Sequence, residues 1–351
     1  MFFNNTFNRL AIAASFIFIS LSLIAEPTLE EVVVSARKVD ENLQDVPIAM
    51  SVFTSSDIED AGIQRPEDFI ALTPNVVMAN TVNVGDTLVT IRGLTSTRDA
   101  ESNFAFVVDG VLQTNPNAFN RELLDIAQIE VLKGPQGALY GRNATSGAIL
   151  ITTKAPSEES ESTAVVGMGV NNSTKLQFVN SGKIRENVYT RFSVSTRDTD
   201  GEHTNVFSNS NNVDHFEDTT IRTRFLVDNG DSSWDLRAGV SEASGGTINF
   251  NAVFALPAFQ GFGTPGADQF YKDVNSHQFT YMFNVPPVNE QETADISLKY
   301  TEDMGDGREF SAILAYNHLE EFLLSDGTSG ALEGILVSHH ALLQIQLVIW
   351  H

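Results

Sequence analysis

Apolar residues fall into two regimes along this chain. Up to about residue 154 they come in short runs bounded by glycine, proline and asparagine; beyond Pro156 they alternate with polar residues. The first regime predicts a compact mixed domain. Pro47 to Phe53 reads as a strand, Ser56-Asp57 as the cap of a short helix ending at Ala61 before Gly62, and Arg65 to Leu72 as a second helix stopped by Pro74. Strands are then predicted over Thr87 to Arg92, Ala105 to Val108, Ile129 to Leu132 and Ile149 to Thr153, where β-branched residues cluster between glycines. In the second regime Ala164, Val166, Met168 and Val170 share one face, as do Val188, Phe192 and Val194. Trp234, Leu236, Ala238 and Val240 alternate with Asp235, Arg237, Gly239 and Ser241, and Ala294 to Tyr300 and Phe310 to Tyr316 repeat the period. A period of two gives each strand one wet and one apolar face.

A soluble sandwich shares that period, and the connections separate the two. Asn180 to Asn187, Asp228 to Ser232 and Thr301 to Gly307 are short, whereas Asp198 to Glu217 and Ala243 to Glu292 are long. Short turns at one end and long loops at the other are the asymmetry of an outer-membrane barrel, with the short turns in the periplasm. The pattern supplies about seven strands over residues 157–329, fewer than a barrel enclosing a folded domain needs, and open edges fail in lipid. Residues 330–351 lose the alternation and read as a truncated or frame-shifted tail.

The first residues add export. Arg9 is the only charge before Leu10 to Ala25, a run apolar except for three serines, which fits a signal peptide over residues 1–25 better than a membrane-spanning helix. Among the 351 residues, 42% are hydrophobic, enough for a core, and none is cysteine, which removes disulfides and thiolate chemistry. A net charge of −24 opposes phosphate backbones and argues against nucleic-acid binding. The seven histidines are scattered, with His339-His340 in the tail, so no metal site is expected. Gly134 to Gly147 is glycine-rich but lacks the Gly-Lys-Ser/Thr ending of a phosphate loop. No nucleophile–base constellation and no cofactor motif stands out, so an enzyme is not expected.

A series of motifs in order carries a resemblance. Leu29-Glu30-Glu31-Val32-Val33-Val34-Ser35-Ala36 resembles a TonB box, and Glu41 to Ala49 resembles the start of the plug that follows it. Ile91-Arg92-Gly93, Val108-Asp109-Gly110-Val111 and Ile129-Glu130-Val131-Leu132-Lys133-Gly134-Pro135-Gln136-Gly137 come next, then Leu139-Tyr140-Gly141-Arg142-Asn143 through Ile149. The chain is similar over about residues 29–156 to the TonB-dependent outer-membrane receptors, siderophore receptors among them. The resemblance implies a signal peptide, a box and linker over residues 26–39, an α+β plug domain over residues 40–156, and the N-terminal part of an antiparallel transmembrane β-barrel.

It also implies function. The box would add a strand to the periplasmic C-terminal domain of TonB, whose pull supplies energy to a membrane without ATP. The ligand would be a scarce small molecule or metal chelate, a ferric siderophore first; cobalamin, haem, a nickel chelate or an oligosaccharide are the alternatives. Thr97, Arg98, Asp99, Glu101 and Asn103, with Asn115 and Asn117, are the candidate ligand-contacting plug loops, and Arg98 suits an anionic chelate. Arg92, Lys133 and Arg142 are the candidate plug–barrel contacts; the family often has arginine where Lys133 stands. Outer-membrane lipid and the barrel assembly machinery are the further partners implied. Competing readings are a plug with a partial barrel that transports nothing, and a soluble periplasmic binding module, against which the alternation speaks.

Overall fold

The computed structural model describes residues 32–35, 41–80, 85, 87–97, 100–205, 209–210, 213–246, 288–326 and 335–350. The expected signal peptide, Leu29 to Glu31 and Ala36 lie outside them. The chain divides into two units, Met1–Val46 and Pro47–His351. In the first, β1 (Val33–Val34) pairs antiparallel with β2 (Glu41–Asn42). Leu43 N–H donates to Val32 O at 2.9 Å, closing that short ladder.

The second unit opens with the mixed domain. Strand β3 (Met50–Thr54) runs into α1 (Ser55–Asp60). The helix begins there because Thr54 and Asp57 cap each other's backbone amides, two residues earlier than a cap at Ser56 predicts. Helix α2 (Pro66–Ala71) follows, then β4 (Val76–Asn80), β5 (Thr87–Ile91), β6 (Leu94–Thr95), β7 (Phe104–Val108), β8 (Val111–Gln113), β9 (Ile126–Lys133), α3 (Gly137–Tyr140) and β10 (Gly147–Thr153). One sheet has the order β3-β9-β10-β7-β8, with β10 and β7 parallel; β4-β5-β6 form another. Phe119 organises the core, with the rings of Phe69, Phe104 and Phe106 edge-on to it at 6.4, 5.1 and 5.0 Å.

Two of the sequence motifs are tight hairpin tips. Arg92-Gly93 joins β5 to β6 and Asp109-Gly110 joins β7 to β8, each with both central φ angles positive (50° and 82°; 50° and 86°). Gly147 serves differently: a Cβ there would lie 2.2 Å from Leu132 O in the adjacent strand.

The remaining strands form one antiparallel sheet in sequence order: β11 (Glu161–Met168), β12 (Thr174–Arg185), β13 (Val188–Thr199), β14 (Phe216–Asp228), β15 (Ser232–Gly245), β16 (Val288–Gly305), β17 (Arg308–Asp326) and β18 (Ile335–Trp350). Short turns at 186–187, 229–231 and 306–307 share one end, as the sequence predicts. The tail is a correction. Residues 335–350 are an eighth strand, in continuous register with Ser311–Asp326, where about seven strands and an aberrant end were expected. Ladder pairing uses backbone N–H and C=O groups, so a strand whose side-chain pattern loses its period can still pair.

Candidate functional site

The eight-stranded sheet is inside out by the standard of a soluble protein. Its buried face carries Ser181, Arg191, Ser193, Ser195, Asp218, Thr220, Asp235, Gln291, Thr293 and Glu321, each under a tenth exposed, and turns apolar only at Val179, Ala243 and along β17 at Ile313, Ala315, Leu319 and Leu323. Its other face exposes Leu176, Phe178, Phe192, Ile221, Phe225, Leu236, Val240, Ile296 and Leu314. Near the short turns the Trp234 and Tyr300 rings pack at a tilt, 4.6 Å apart, with Phe310 6.3 Å beyond, aromatic residues together at one rim. A soluble sandwich would bury the apolar set.

The mixed domain is bonded to the polar face. Register places Arg191, Arg224 and Arg237 side by side on three neighbouring strands. Like charges directly opposite repel, so this row needs counter-charges. Asp125 of the mixed domain takes Arg191 through both oxygens at 2.5 and 2.7 Å and also accepts from Ser193 Oγ at 2.6 Å. Asp235 bridges Arg224 and Arg237 at 2.8 and 2.6 Å. Arg237 also donates to Asp109 O at 2.9 Å, and Arg224 to Thr153 O and Lys154 O at 3.2 and 3.1 Å. Arg222 donates to Leu124 O at 2.8 Å, and Arg121 pairs with Asp295 at 2.9 Å.

Asp109 ties this row to the domain core. Its carboxylate accepts from Thr153 N–H and Thr153 Oγ at 2.9 and 2.8 Å. Burial pushes its pKa up, but the Arg237 and Arg224 charges and the Thr153 bonds outweigh burial and hold the carboxyl below the usual range. Beside it Gly110 leaves no room for a side chain, since a Cβ would lie 2.9 Å from Ile313 Cδ1. Elsewhere Lys175 pairs with buried Glu122 at 3.0 Å, Asn117 bonds Glu321 at 2.5 Å and Gln291 at 3.1 Å, and Arg65 stacks over Phe216 at 4.3 Å.

The residues singled out from sequence are redistributed. Lys133 donates to Ser51 Oγ and Pro74 O within the mixed domain, and Arg142 pairs with Glu101 at 3.2 Å on its surface. Burial and the Arg92 charge lower the Lys133 pKa, and Arg92 itself sits exposed at its hairpin tip. Among the described residues the polar contacts to the sheet include instead Arg65, Asp109, Asn117, Arg121, Glu122, Leu124, Asp125, Thr153 and Lys154, and Val111 adds an apolar one to Ile313 and Ala315. Asn103 is an internal strut: it accepts from Ser96 Oγ and Ser146 Oγ and donates to Leu94 O. Asn115 accepts from Asn117 N–H, capping a short 3-10 turn. Thr97 and Glu101 are exposed; Arg98 and Asp99 lie outside the described residues. The mid-strand arginines Arg191, Arg224 and Arg237 were the missed signal, since an ionic residue at a polar-face position of such a strand must meet a partner.

The model of the TonB-dependent Receptor Plug Domain family matches residues 42–148. The chain is 24% identical over 213 residues to the pesticin receptor of Yersinia enterocolitica, covering 60% of this chain and 31% of that protein. It is 31% identical over 172 residues to the vitamin B12 transporter BtuB of Vibrio vulnificus, covering 45% and 27%. The ferric yersiniabactin uptake receptor FyuA of Yersinia pestis superposes with a TM-score of 0.69 at 17% identity, over 87% of this chain and 46% of that one. The ferripyoverdine receptor of the Pseudomonas aeruginosa outer membrane gives 0.70 at 16%, over 88% and 40%. The chain thus spans about a third of the length of the curated relatives it matches.

Proposed function

We propose that this chain, a TonB-dependent receptor carrying the family's plug domain and strands of its barrel, serves the active uptake of a ferric siderophore across the outer membrane. The observation that carries the reading is the inverted sheet: apolar outside, polar inside, with the plug bonded to the polar face. Such a sheet is at home only where lipid covers one side. The plug joint is also suited to release. Ion pairs and hydrogen bonds contribute little net stability when each group regains water on separation. A pull on the N-terminal segment could therefore shift the plug without unfolding its apolar core.

Coupling to TonB would run through Leu29 to Ala36, of which Val33–Val34 already favour an extended strand. For the ligand, the support is the company the chain keeps: receptors named for pesticin, ferric yersiniabactin and ferripyoverdine. The likeness to the vitamin B12 transporter makes cobalamin the second candidate. The test is uptake of radio-iron from a panel of ferric siderophores, with labelled cobalamin alongside, in a host lacking its own receptors and given this gene. Iron accumulation that requires both the gene and TonB is expected. Cobalamin accumulation alone would replace the ligand, and accumulation without TonB would overturn the mechanism.

A further inference from the structure

The polar face of the barrel sheet carries a charge opposite to that of the chain. Across β11–β17 the register sets five rows of positions on that face, from the row of Asp235 to the row of Glu321. The row of Asp235 also holds Lys183 and Lys299, and the next holds Arg191, Arg224 and Arg237 with Glu161. Arg222 and Asp295 share the third row, and the fourth has no charged residue. Lys175 and Arg197 stand in the fifth with Asp218 and Glu321. Eight basic residues thus meet five acidic ones, in a chain with 21 basic and 45 acidic residues.

The seated plug masks this excess. Among the described residues, the barrel supplies the cation in three of the four ion pairs that cross the interface. These are Arg191 with Asp125, Lys175 with Glu122, and Arg237 with Asp109 at 3.9 Å. Arg121 on Asp295 is the reversed pair. The plug also lends carbonyl oxygens, from Leu124 to Arg222, from Thr153 and Lys154 to Arg224, and from Asp109 to Arg237. On separation Glu161 stays with Arg191, and Asp235 with Arg224 and Arg237. Three barrel cations then lose a carboxylate, and one barrel carboxylate loses a cation.

We propose that this wall is a charge filter, uncovered when the plug shifts, that favours the passage of ferric chelates with net negative charge. The inference rests on the uptake reading and adds the sign of the ligand. A wall of one sign concentrates ligands of the other about tenfold or more, and guanidinium forks match anionic oxygens through paired hydrogen bonds.

The test neutralises both sides of two pairs at once: Arg191→Gln with Asp125→Asn, and Lys175→Gln with Glu122→Gln. The seated joint keeps its charge balance, while the uncovered wall loses two cations. In the host used for radio-iron uptake, an anionic ferric tris-catecholate is expected to enter about tenfold more slowly through this variant, at unchanged binding to the cell surface. A ferric tris-hydroxamate with a pendant ammonium group is expected to keep its rate. Equal slowing of both chelates, no slowing of either, or entry of the cationic chelate alone through the unaltered chain would overturn the proposal. If neither chelate enters through the unaltered chain, the uptake reading fails, and the purified full chain decides the charge of the wall. Asp125→Asn with Glu122→Gln leaves Arg191 and Lys175 without their plug carboxylates, and is expected to bind labelled inorganic phosphate saturably in equilibrium dialysis. The variant with all four changes is expected to lose that binding. Equal phosphate binding by the two variants would remove the excess charge and the filter with it.

Discussion

Asp109 holds a conformation that a type I′ hairpin requires at φ 50°, while its carboxylate reads charges from the other side of the interface. Asparagine tolerates the same backbone, so Asp109→Asn isolates the charge. Removing one member of a buried ionic contact costs about 3 kcal/mol or more. The pH sense follows from the depressed folded value. The contribution is present above the unfolded value, about 3.9, and is lost as pH falls through the lower folded one. At neutral pH the variant should therefore unfold at a lower denaturant midpoint than the unaltered chain. As the pH falls below about 4 the two should draw together, meeting only below the folded value. Midpoints measured across that range check this, and parallel curves at all pH values would remove Asp109 from the interface electrostatics.

At the scale of elements, the plug's stability and its attachment are separate. Its apolar cluster, from Ile58 through Phe119 to Ile151, lies within the plug itself, and its attachment to the sheet is polar except where Val111 packs with Ile313 and Ala315. Residues 40–156 alone should give a soluble species with cooperative unfolding, Asp109 and Asp125 simply regaining water. A chain without amide-exchange protection would contradict this. Strand addition by the box, as proposed above, depends on backbone donors, and Val33→Pro removes one. A peptide of residues 27–38 should lose binding to the TonB C-terminal domain on that change, and equal binding would exclude strand addition. Much of this was legible in the sequence because strand period, turn residues and glycine positions are local properties. Helix α1, the hairpin tips and the loop asymmetry follow from them. Strands β6 and β8 were missed because they are short and held by pairing, and β18 because side-chain period is not what a ladder needs. The interface partners were not legible. Asp125 meets Arg191 only through the docking of two elements far apart in sequence, whereas Lys133 and Arg142 were named from motif position and are held within the plug.

At the scale of the whole molecule the question is which solvent covers the apolar face. Val240 lies in a cross-strand row with Ile221 and Ala294, midway between the aromatic rim at Trp234 and the long-loop end. On a soluble protein an exposed valine changed to arginine alters stability by about 0.5 kcal/mol or less. Facing the hydrocarbon midplane it costs about 2–4 kcal/mol. Val240→Arg should therefore lower the denaturant midpoint of the chain folded in lipid vesicles, followed through Trp234 fluorescence, by an amount in the second range. Val166→Arg, nearer the long-loop end of the sheet, should cost less, since the penalty falls toward the interface. Both edges, β11 and β18, have a single paired neighbour among the described residues, and in hydrocarbon each needs a second. The measurement accordingly requires vesicles in which the folded state resists protease. Two midpoints indistinguishable from that of the unaltered chain would mean that water, not lipid, covers this face.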